Sequence, residues 1–457
     1  HLENLRRWVR QRSISAQNDG VLEMARLVES DLKALGFQET AIVPSKGHPG
    51  VWGWFDAKAK KTLVVYMMYD VQPIEPTGWK VDAFAGELVD DPKFGQVLMA
   101  RGATNQKGPE RAFLNAVASI LAVNRKLPVN LMVLAEGEEE LGSPNYPEII
   151  GKYEDRLKTA DGVFFPMNSQ SPGGNVTLPM GVKGIWYAEL ESIGGPQGGP
   201  KEAEVHGSQK SILDSPVWRL AHALASLTSV DGNTCLVPGF YDPIRPPSLE
   251  EQRLTNGLMP AWLAEEAQRK DALKVDRWMN GMTAEETLYE HLFNPSFNID
   301  GLVSGYTGVG TKTILPHKAL AKIDVRMVPD QTPEQIMQQF RDHLDAKGFT
   351  DITITQLSGY PAAQTSVDAP LVRAAIGAFN KHGVTPRIMP RLAGSAPYHV
   401  FTDRLKLPLV TGGMGHGSAQ HAPNEYMVIK PKAGSAVAGL AEVEKFYVDL
   451  LFALAEA

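Results

Sequence analysis

The sequence predicts an α/β fold in two parts, a larger discontinuous domain with a smaller α+β domain inserted into it. Three observations carry this reading. Short apolar runs alternate with amphipathic helical stretches early in the chain; the texture changes past Gly184; and the first texture returns from about Ser366. At 457 residues the chain is long enough for two domains, each with its own core.

Val21, Met24, Ala25, Val28, Leu32 and Leu35 recur at helical spacing until Gly36, which predicts an amphipathic helix. Leu63 to Tyr66 read as a strand that runs through Met67, Met68 and Tyr69 to Asp70, where Pro73 and Pro76 end the extended run. A strand at 97–99 feeds the loop R-G-A-T-N-Q-K-G-P at 101–109, and Phe113, Ala116, Val117, Ile120 and Leu121 then mark the inner face of a helix. The apolar run 131–134 reads as a buried strand opening onto E-G-E-E-E-L-G-S. Glu136, Glu138, Glu139 and Glu140 therefore fall just past its carboxyl end, the edge at which open α/β sheets carry ligand sites. Val163, Phe164 and Phe165 form another short strand leading to Met167 and Asn168.

Beyond Gly184 come a strand-like run at 186–190, a helix at 217–227 and a polar, proline-bearing stretch at about 230–295. A strand at 319–328, a helix near 333–344 and a strand at 352–357 complete an α+β layer. A helix through Leu371, Ala375 and Phe379, the loop R-L-A-G-S-A-P and a strand at 407–411 return to the first domain. The expected boundaries are 1–185 with 361–457 for the larger domain and 186–360 for the inserted one.

A net charge of −7, with 21% charged and 43% hydrophobic residues, gives no electrostatic reason to expect nucleic acid or an anionic membrane as partner, so a small-molecule substrate is the expectation. The single cysteine, Cys235, excludes an intrachain disulfide framework and any multi-thiolate metal cage. No apolar run approaches the roughly 18 residues of a membrane span. The sequence starts at His1, so an export signal would be invisible; a cytoplasmic location is expected and a periplasmic one stays open.

G-x-S-x-G and H-E-x-x-H are absent, and the glycine-rich 305–312 lacks the spacing of a phosphate loop and reads as turn chemistry. A scattered set remains at strand ends and in loops: Asp70, Asn105, Glu139 with Glu140, Asn168, and His421 in H-A-P-N-E. Each alone is more often structural, and His416 reads as a satisfied loop histidine; convergence on one sheet edge is what would make them a site. The crowded carboxylates read either as a solvated acidic turn or as a group in which at least one pKa is raised, as a general base working near neutral pH requires.

The segments V-V-Y-M-M-Y-D-V-Q-P, A-R-G-A-T-N-Q-K-G-P, E-G-E-E-E-L-G-S, K-I-D-V-R-M-V-P-D-Q, A-G-S-A-P and G-H-G-S-A-Q-H-A-P-N-E resemble, in that order, the signatures of the aminoacylase and carnosine dipeptidase type of zinc peptidase. The succinyl-diaminopimelate desuccinylases belong to the same superfamily. The resemblance implies a catalytic domain with a mixed β-sheet flanked by helices and two zinc ions, plus an inserted lid domain that mediates a homodimer. It aligns Glu139 with the general base, Glu140 and His421 with ligands of one zinc, and Asp70 with the aspartate that orients a histidine ligand of the other. His206 matches a histidine that reaches across the dimer to the scissile carbonyl, and Arg326, Gly394 and Ser395 match residues that hold the substrate carboxylate.

The departures fall on the metal. Met68 stands where the resemblance implies a histidine ligand, Asn105 where it implies the bridging aspartate, and Met167, or Asn168 if the register slips, where it implies the last aspartate. A thioether prefers soft metals and a carboxamide is a weak neutral ligand. Only Glu140 and His421 remain as vestigial ligands, short of the three a catalytic zinc needs. The expectation is therefore a hydrolase of an amide bond in a small carboxylate-bearing substrate, working by acid–base chemistry with little or no metal. Glu139, Glu140, Asp70, His421 and His206 are its candidate catalytic groups, and Asn105 and Asn168 its hydrogen-bond donors to an oxyanion. A conventional zinc enzyme recruiting His416 or His399, and a non-catalytic binding protein, are the alternatives.

Overall fold

A computed structural model describes residues 1–195 and 197–457. They form two compact units: His1–Met180 with Gln364–Met389 and Val400–Ala457, and Gly181–Ala363 with Pro390–His399.

The first unit is built on a six-stranded mixed sheet in the order Glu39–Val43, Gly50–Phe55, Asn130–Glu136, Thr62–Met68, Gly162–Pro166, Leu409–Gly412. Its first two joints are antiparallel and the rest parallel. Thr62–Met68 and Asn130–Glu136 are buried along their whole length, which is why they read as continuous apolar runs without alternation. Their parallel register pairs Met68 with Glu136, so both strands end together and Asp70 and Glu139 leave the sheet at the same edge. The helix after the R-G-A-T-N-Q loop begins at Lys107 and so takes in the last three residues of the segment expected to be loop. Pro109 is tolerated there because first-turn amides have no partner within a helix. A second sheet, Gly417–Ser418, Tyr426–Pro431, Gly95–Met99 and Glu87–Asp91, sets the loop after Met99 beside Glu425.

The second unit packs the helices Pro216–Leu227 and Pro333–Ala346 on one face of an antiparallel sheet in which Gly181–Ile193 lies between Lys318–Met327 and Thr353–Tyr360. Trp186, Ala188 and Leu190 alternate inward to meet Phe340 and Leu220. The polar, proline-bearing stretch, for which no elements were expected, contains three helices, Leu249–Ala264, Glu266–Leu273 and Ala284–Phe293. The first and third open on capping boxes, Ser248 with Glu251 and Thr283 with Glu286. Pro390–His399, expected in the first domain, lies in the second unit because Leu392–Ser395 pairs in parallel with Gly181–Ile193. Gly394 and Ser395 go with it.

Candidate active site

Glu139 and Glu140 sit on a single 3-10 turn, Glu139–Leu141, directly after Asn130–Glu136. That turn is held from beneath by Asp70. Its Oδ1 accepts the Glu139 amide and its Oδ2 the Glu140 amide, each at 3.2 Å, and Oδ2 also accepts Ser15 Oγ at 2.7 Å. Asp70, expected among the catalytic groups, is fully buried and uses both carboxylate oxygens to hold the turn. Burial pushes its carboxyl up to about 7. Gly137 is needed in the approach to the turn, since a Cβ there would come within 2.6 Å of the Tyr69 ring.

Only two of the four crowded glutamates belong to the site. Glu136 is buried under the sheet, where it accepts Tyr66 Oη at 2.7 Å and Ser143 Oγ at 2.9 Å. Glu138 accepts the His48 amide at 3.1 Å and Asn145 Nδ2 at 2.8 Å. Glu140 Oε1 takes Asn105 Nδ2 at 2.8 Å, and its Oε2 lies 2.9 Å from Gln72 Nε2 and 3.2 Å from His421 Nε2. Asn105 Nδ2 is also 3.1 Å from His421 Nε2. Burial, then Glu140, then Asp70 raise Glu139 to about 8, and the hydrogen bond that the His421 ring donates to Glu140 raises His421. A glutamic acid that ionises near neutral pH therefore stands beside a carboxylate–imidazole pair.

Two loops deliver the partners. His421 has a left-handed backbone (φ 61°), in a segment fixed by Asn424, whose Oδ1 accepts the Lys80 amide and whose Nδ2 donates to the Gly78 carbonyl. Glu425 accepts the amides of Gly102, Thr104 and Asn105 at 2.9–3.0 Å and pairs with Arg101 at 3.0 Å, Arg101 and Glu425 both being buried. Sequence reasoning quoted the terminal glutamate of H-A-P-N-E without giving it this role. Ser15 had no sequence signal, because the fold alone brings it to Asp70, and Gln72 was quoted within V-V-Y-M-M-Y-D-V-Q-P without being given this role. Asn168 donates to Thr104 Oγ1 at 3.0 Å, and its Oδ1 is buried without a partner among the described residues.

The donor set does not fit a two-zinc cage. Asn105 turns a carboxamide N–H2 toward Glu140 and His421, and an N–H donor offers a cation nothing. Both oxygens of Asp70 are spent on backbone and Ser15. The Met68 amide donates to Glu110 Oε1 at 2.7 Å, beneath the same strand end. His416 cannot stand in, since Gln170 O (2.7 Å) and Tyr426 Oη (3.2 Å) occupy its two ring nitrogens. His399, the other substitute considered, lies in the second unit with its ring stacked parallel to Tyr360. Among the described residues no group of three or more His, Cys, Asp and Glu side chains is arranged to hold a metal.

The remaining predicted residues lie in the second unit. His206 is exposed at the end of Val205–His206, where its Nδ1 accepts the Ser208 amide at 3.2 Å. Arg326 Nε donates to Asp324 Oδ1 at 2.8 Å, and Ser395 Oγ donates to the Gly184 carbonyl at 2.8 Å. Gly394 lies between Leu392 and Ser395 on the strand that borders them.

Comparison with known proteins agrees with this architecture. A model of peptidase family M20/M25/M40 matches residues 65–447. The crystal structure of an M20 family metallo-carboxypeptidase, Sso-CP2 from Sulfolobus solfataricus, superposes with a TM-score of 0.88 at 32% identity, covering 100% of this chain and 99% of that one. Beta-Ala-His dipeptidase of Rattus norvegicus is 31% identical over 63% of this chain, but the match spans only 56% of that protein. Cys-Gly metallodipeptidase DUG1 of Candida albicans is 28% identical over 72% of this chain and 68% of its own length. With a family model running from the first long buried strand to the last helix, the chain belongs to peptidase family M20/M25/M40.

Proposed function

We propose that this chain hydrolyses the amide bond of a small carboxylate-bearing substrate, an N-acyl amino acid or dipeptide, by acid–base chemistry with little or no metal. The observation that carries the reading is the geometry of one turn: Glu139 sits beside Glu140, whose carboxylate takes Asn105, Gln72 and His421, above Asp70, which holds both turn amides, and burial among these carboxyls raises Glu139 to about 8. At pH 7 such a group is ionised in about one molecule in ten, enough for a general base whose conjugate acid remains strong.

In the proposed reaction Glu139 takes a proton from water as the water oxygen bonds to the carbonyl carbon. The same proton passes from Glu139 to the amine nitrogen as the C–N bond breaks, leaving a carboxylic acid and an amine. His421, favoured as imidazolium by Glu140, donates a hydrogen bond to the oxyanion. General acid–base catalysis supplies about 10²–10⁴-fold, and the lost Lewis-acid contribution is several kcal/mol, so the substrate amide should be an activated one. Arg326, Gly394 and Ser395 stay, by resemblance, the candidates for the carboxylate, and His206 for a role across a homodimer, which light scattering would test by mass.

The competing reading is metal-dependent hydrolysis, favoured by the family and by the relatives named as metallo-enzymes. Turnover of an N-acyl amino acid and dipeptide panel, measured with and without chelator alongside elemental analysis, separates the two. Chelator-insensitive turnover lost in Glu139→Gln supports acid–base hydrolysis; about two zinc ions per chain with chelator-sensitive turnover overturns it.

A further inference from the structure

The turn that carries Glu139 and Glu140 is too short to hold its own shape. Glu139–Leu141 is a single 3-10 turn of three residues, and one such turn gains too few hydrogen bonds to offset the order it imposes. Its form is therefore set from outside, and the first unit supplies two segments that do so. One is S-I-S, Ser13 to Ser15, which lies along Tyr69 to Val71. Ser13 Oγ donates to the Tyr69 carbonyl at 2.6 Å, the Val71 amide donates to the Ser13 carbonyl at 2.9 Å, and Ile14 forms a parallel bridge to Val71. Ser13, Ile14 and Ser15 are all buried, and the 3-10 turn Ser15–Gln17 packs against Glu139–Leu141. Asp70 is thus gripped through both backbone neighbours, and its side chain is held by Ser15.

The other segment is the loop from Pro44 to Pro49. The His48 amide donates to Glu138 Oε1 at 3.1 Å, and the His48 ring Nε2 lies 3.0 Å from the Ser15 carbonyl. A carbonyl only accepts, so Nε2 carries the proton and donates it. The same carbonyl takes the Asn18 amide at 3.1 Å, which closes the 3-10 turn on which Ser15 rides. Tyr69 Oη seats the loop by donating to the Pro49 carbonyl, and Gly47 lies so near Glu138 that a Cβ would fall 1.9 Å from Oε1. These bonds close on themselves. Glu138 holds the His48 amide, the His48 ring holds Ser15, Ser15 Oγ holds Asp70 at 2.7 Å, and Asp70 holds the amides of Glu139 and Glu140, the residues that follow Glu138. In a closed circuit no member turns alone, whereas cutting one link frees Ser15 or Asp70 to take other rotamers.

We propose that His48 and Ser15 are positioning residues for amide hydrolysis, His48 fixing Ser15, Ser15 fixing the Asp70 side chain, and Asp70 holding the turn in the form that presents Glu139. Only the effect on turnover rests on the hydrolase reading; the hold on the turn does not.

Hydrogen–deuterium exchange of the full chain, read on peptides across 137–143 and 62–68, tests the hold directly. Ser15→Ala and His48→Leu should speed exchange at the Glu139 and Glu140 amides about fivefold or more, as the loss of one buried hydrogen bond implies, and leave 62–68 unchanged. His48→Gln places an N–H close to where Nε2 stood and should stay within about twofold of the native chain, whereas the shorter His48→Asn should behave as His48→Leu. Thr62→Val, which removes the acceptor of a 3.1 Å bond from Asn130 at the far end of Thr62–Met68, should leave the turn unmoved. His48 is only half-buried, so its variants keep the test open where Ser15→Ala fails to fold. A rise shared equally by 62–68, or His48→Gln no better than His48→Leu, overturns the circuit. With N-acetyl-L-methionine and L-alanyl-L-alanine as substrates, His48→Leu should lower kcat about tenfold or more with KM within about twofold, and adding Ser15→Ala should lower it little further. Native turnover with kcat unmoved in His48→Leu sinks the positioning role and spares the hydrolase; selective opening of the turn in a chain that hydrolyses neither probe does the reverse.

Discussion

Asp70→Asn offers the sharpest test of how the site is held, because its effect on stability should depend on pH with a sign fixed by burial. Asp70 is fully buried and its carboxyl is raised from 3.8 to about 7. Between those values the folded chain holds a proton that the unfolded chain has released, so stability falls as pH rises through the window and the loss is complete above about 7. The full span amounts to about 4 kcal/mol, of which roughly 2.5 kcal/mol falls between pH 5 and pH 8. Asparagine does not titrate. It also turns an N–H2 toward one of the donors that Asp70 accepts, at a fixed cost of about 1–3 kcal/mol. Urea unfolding should therefore find the variant less stable than the native chain at pH 5, with the gap closing or reversing by roughly 2.5 kcal/mol at pH 8. A second readout follows from Asp70 acting on Glu139. Without that negative neighbour Glu139 ionises more readily, so the limb on which activity rises with pH should move to lower pH in Asp70→Asn. An identical stability gap at both pH values, or a limb that moves upward, would refute this account.

Native kcat/KM should rise with pH to a limb near 8, since the base form of Glu139 is the active one, and a flat profile between pH 6 and pH 9 would remove Glu139 from that role. Glu425→Ala strips Arg101 of its buried partner and unlatches three backbone amides, so it should cost about 3–5 kcal/mol in urea unfolding; a loss under 1 kcal/mol would show the latch to be dispensable. Phe340→Ala, in the core of the second unit against Trp186, should cost about 3–5 kcal/mol, and if the two units unfold separately only one of two transitions should shift.

The sheet of the first unit was legible because its central strands are buried on both faces, and such strands announce themselves as unbroken apolar runs such as Leu63 to Met68. The edge carrying Asp70 and the Glu139–Glu140 pair followed from those runs alone. The three helices of 249–293 were hidden for the opposite reason: they are only partly buried, so their apolar stripe is thin, and Pro260 interrupts the longest of them. Their capping boxes were nevertheless written in the sequence, S-L-E-E and T-A-E-E. At the site, motifs located His421 and Asn105, but the Asn105 amide is held by Glu425, Glu140 by Gln72 and Asp70 by Ser15, contacts between segments far apart in the sequence.

The electrostatics of the site follow from what its second layer does with negative charge. Glu140 raises both Asp70 and Glu139, Asp70 also raises Glu139, and the partly exposed His421 imidazole lies against Glu140. In a cage of strong anionic ligands dications would hold such carboxylates ionised; by resemblance a carboxamide and thioethers stand at ligand positions here, and in the proposed reading protons would balance the charge instead. Burial first, and then the neighbouring carboxylates, raise Asp70 to about 7 and Glu139 to about 8, the range in which the proposed proton transfer would work. Restoring an aspartate at Asn105 should push Glu139 higher still unless a cation enters with it, and a metal-dependent rise in activity of Asn105→Asp over the native chain would mark the position as the switch between the two chemistries.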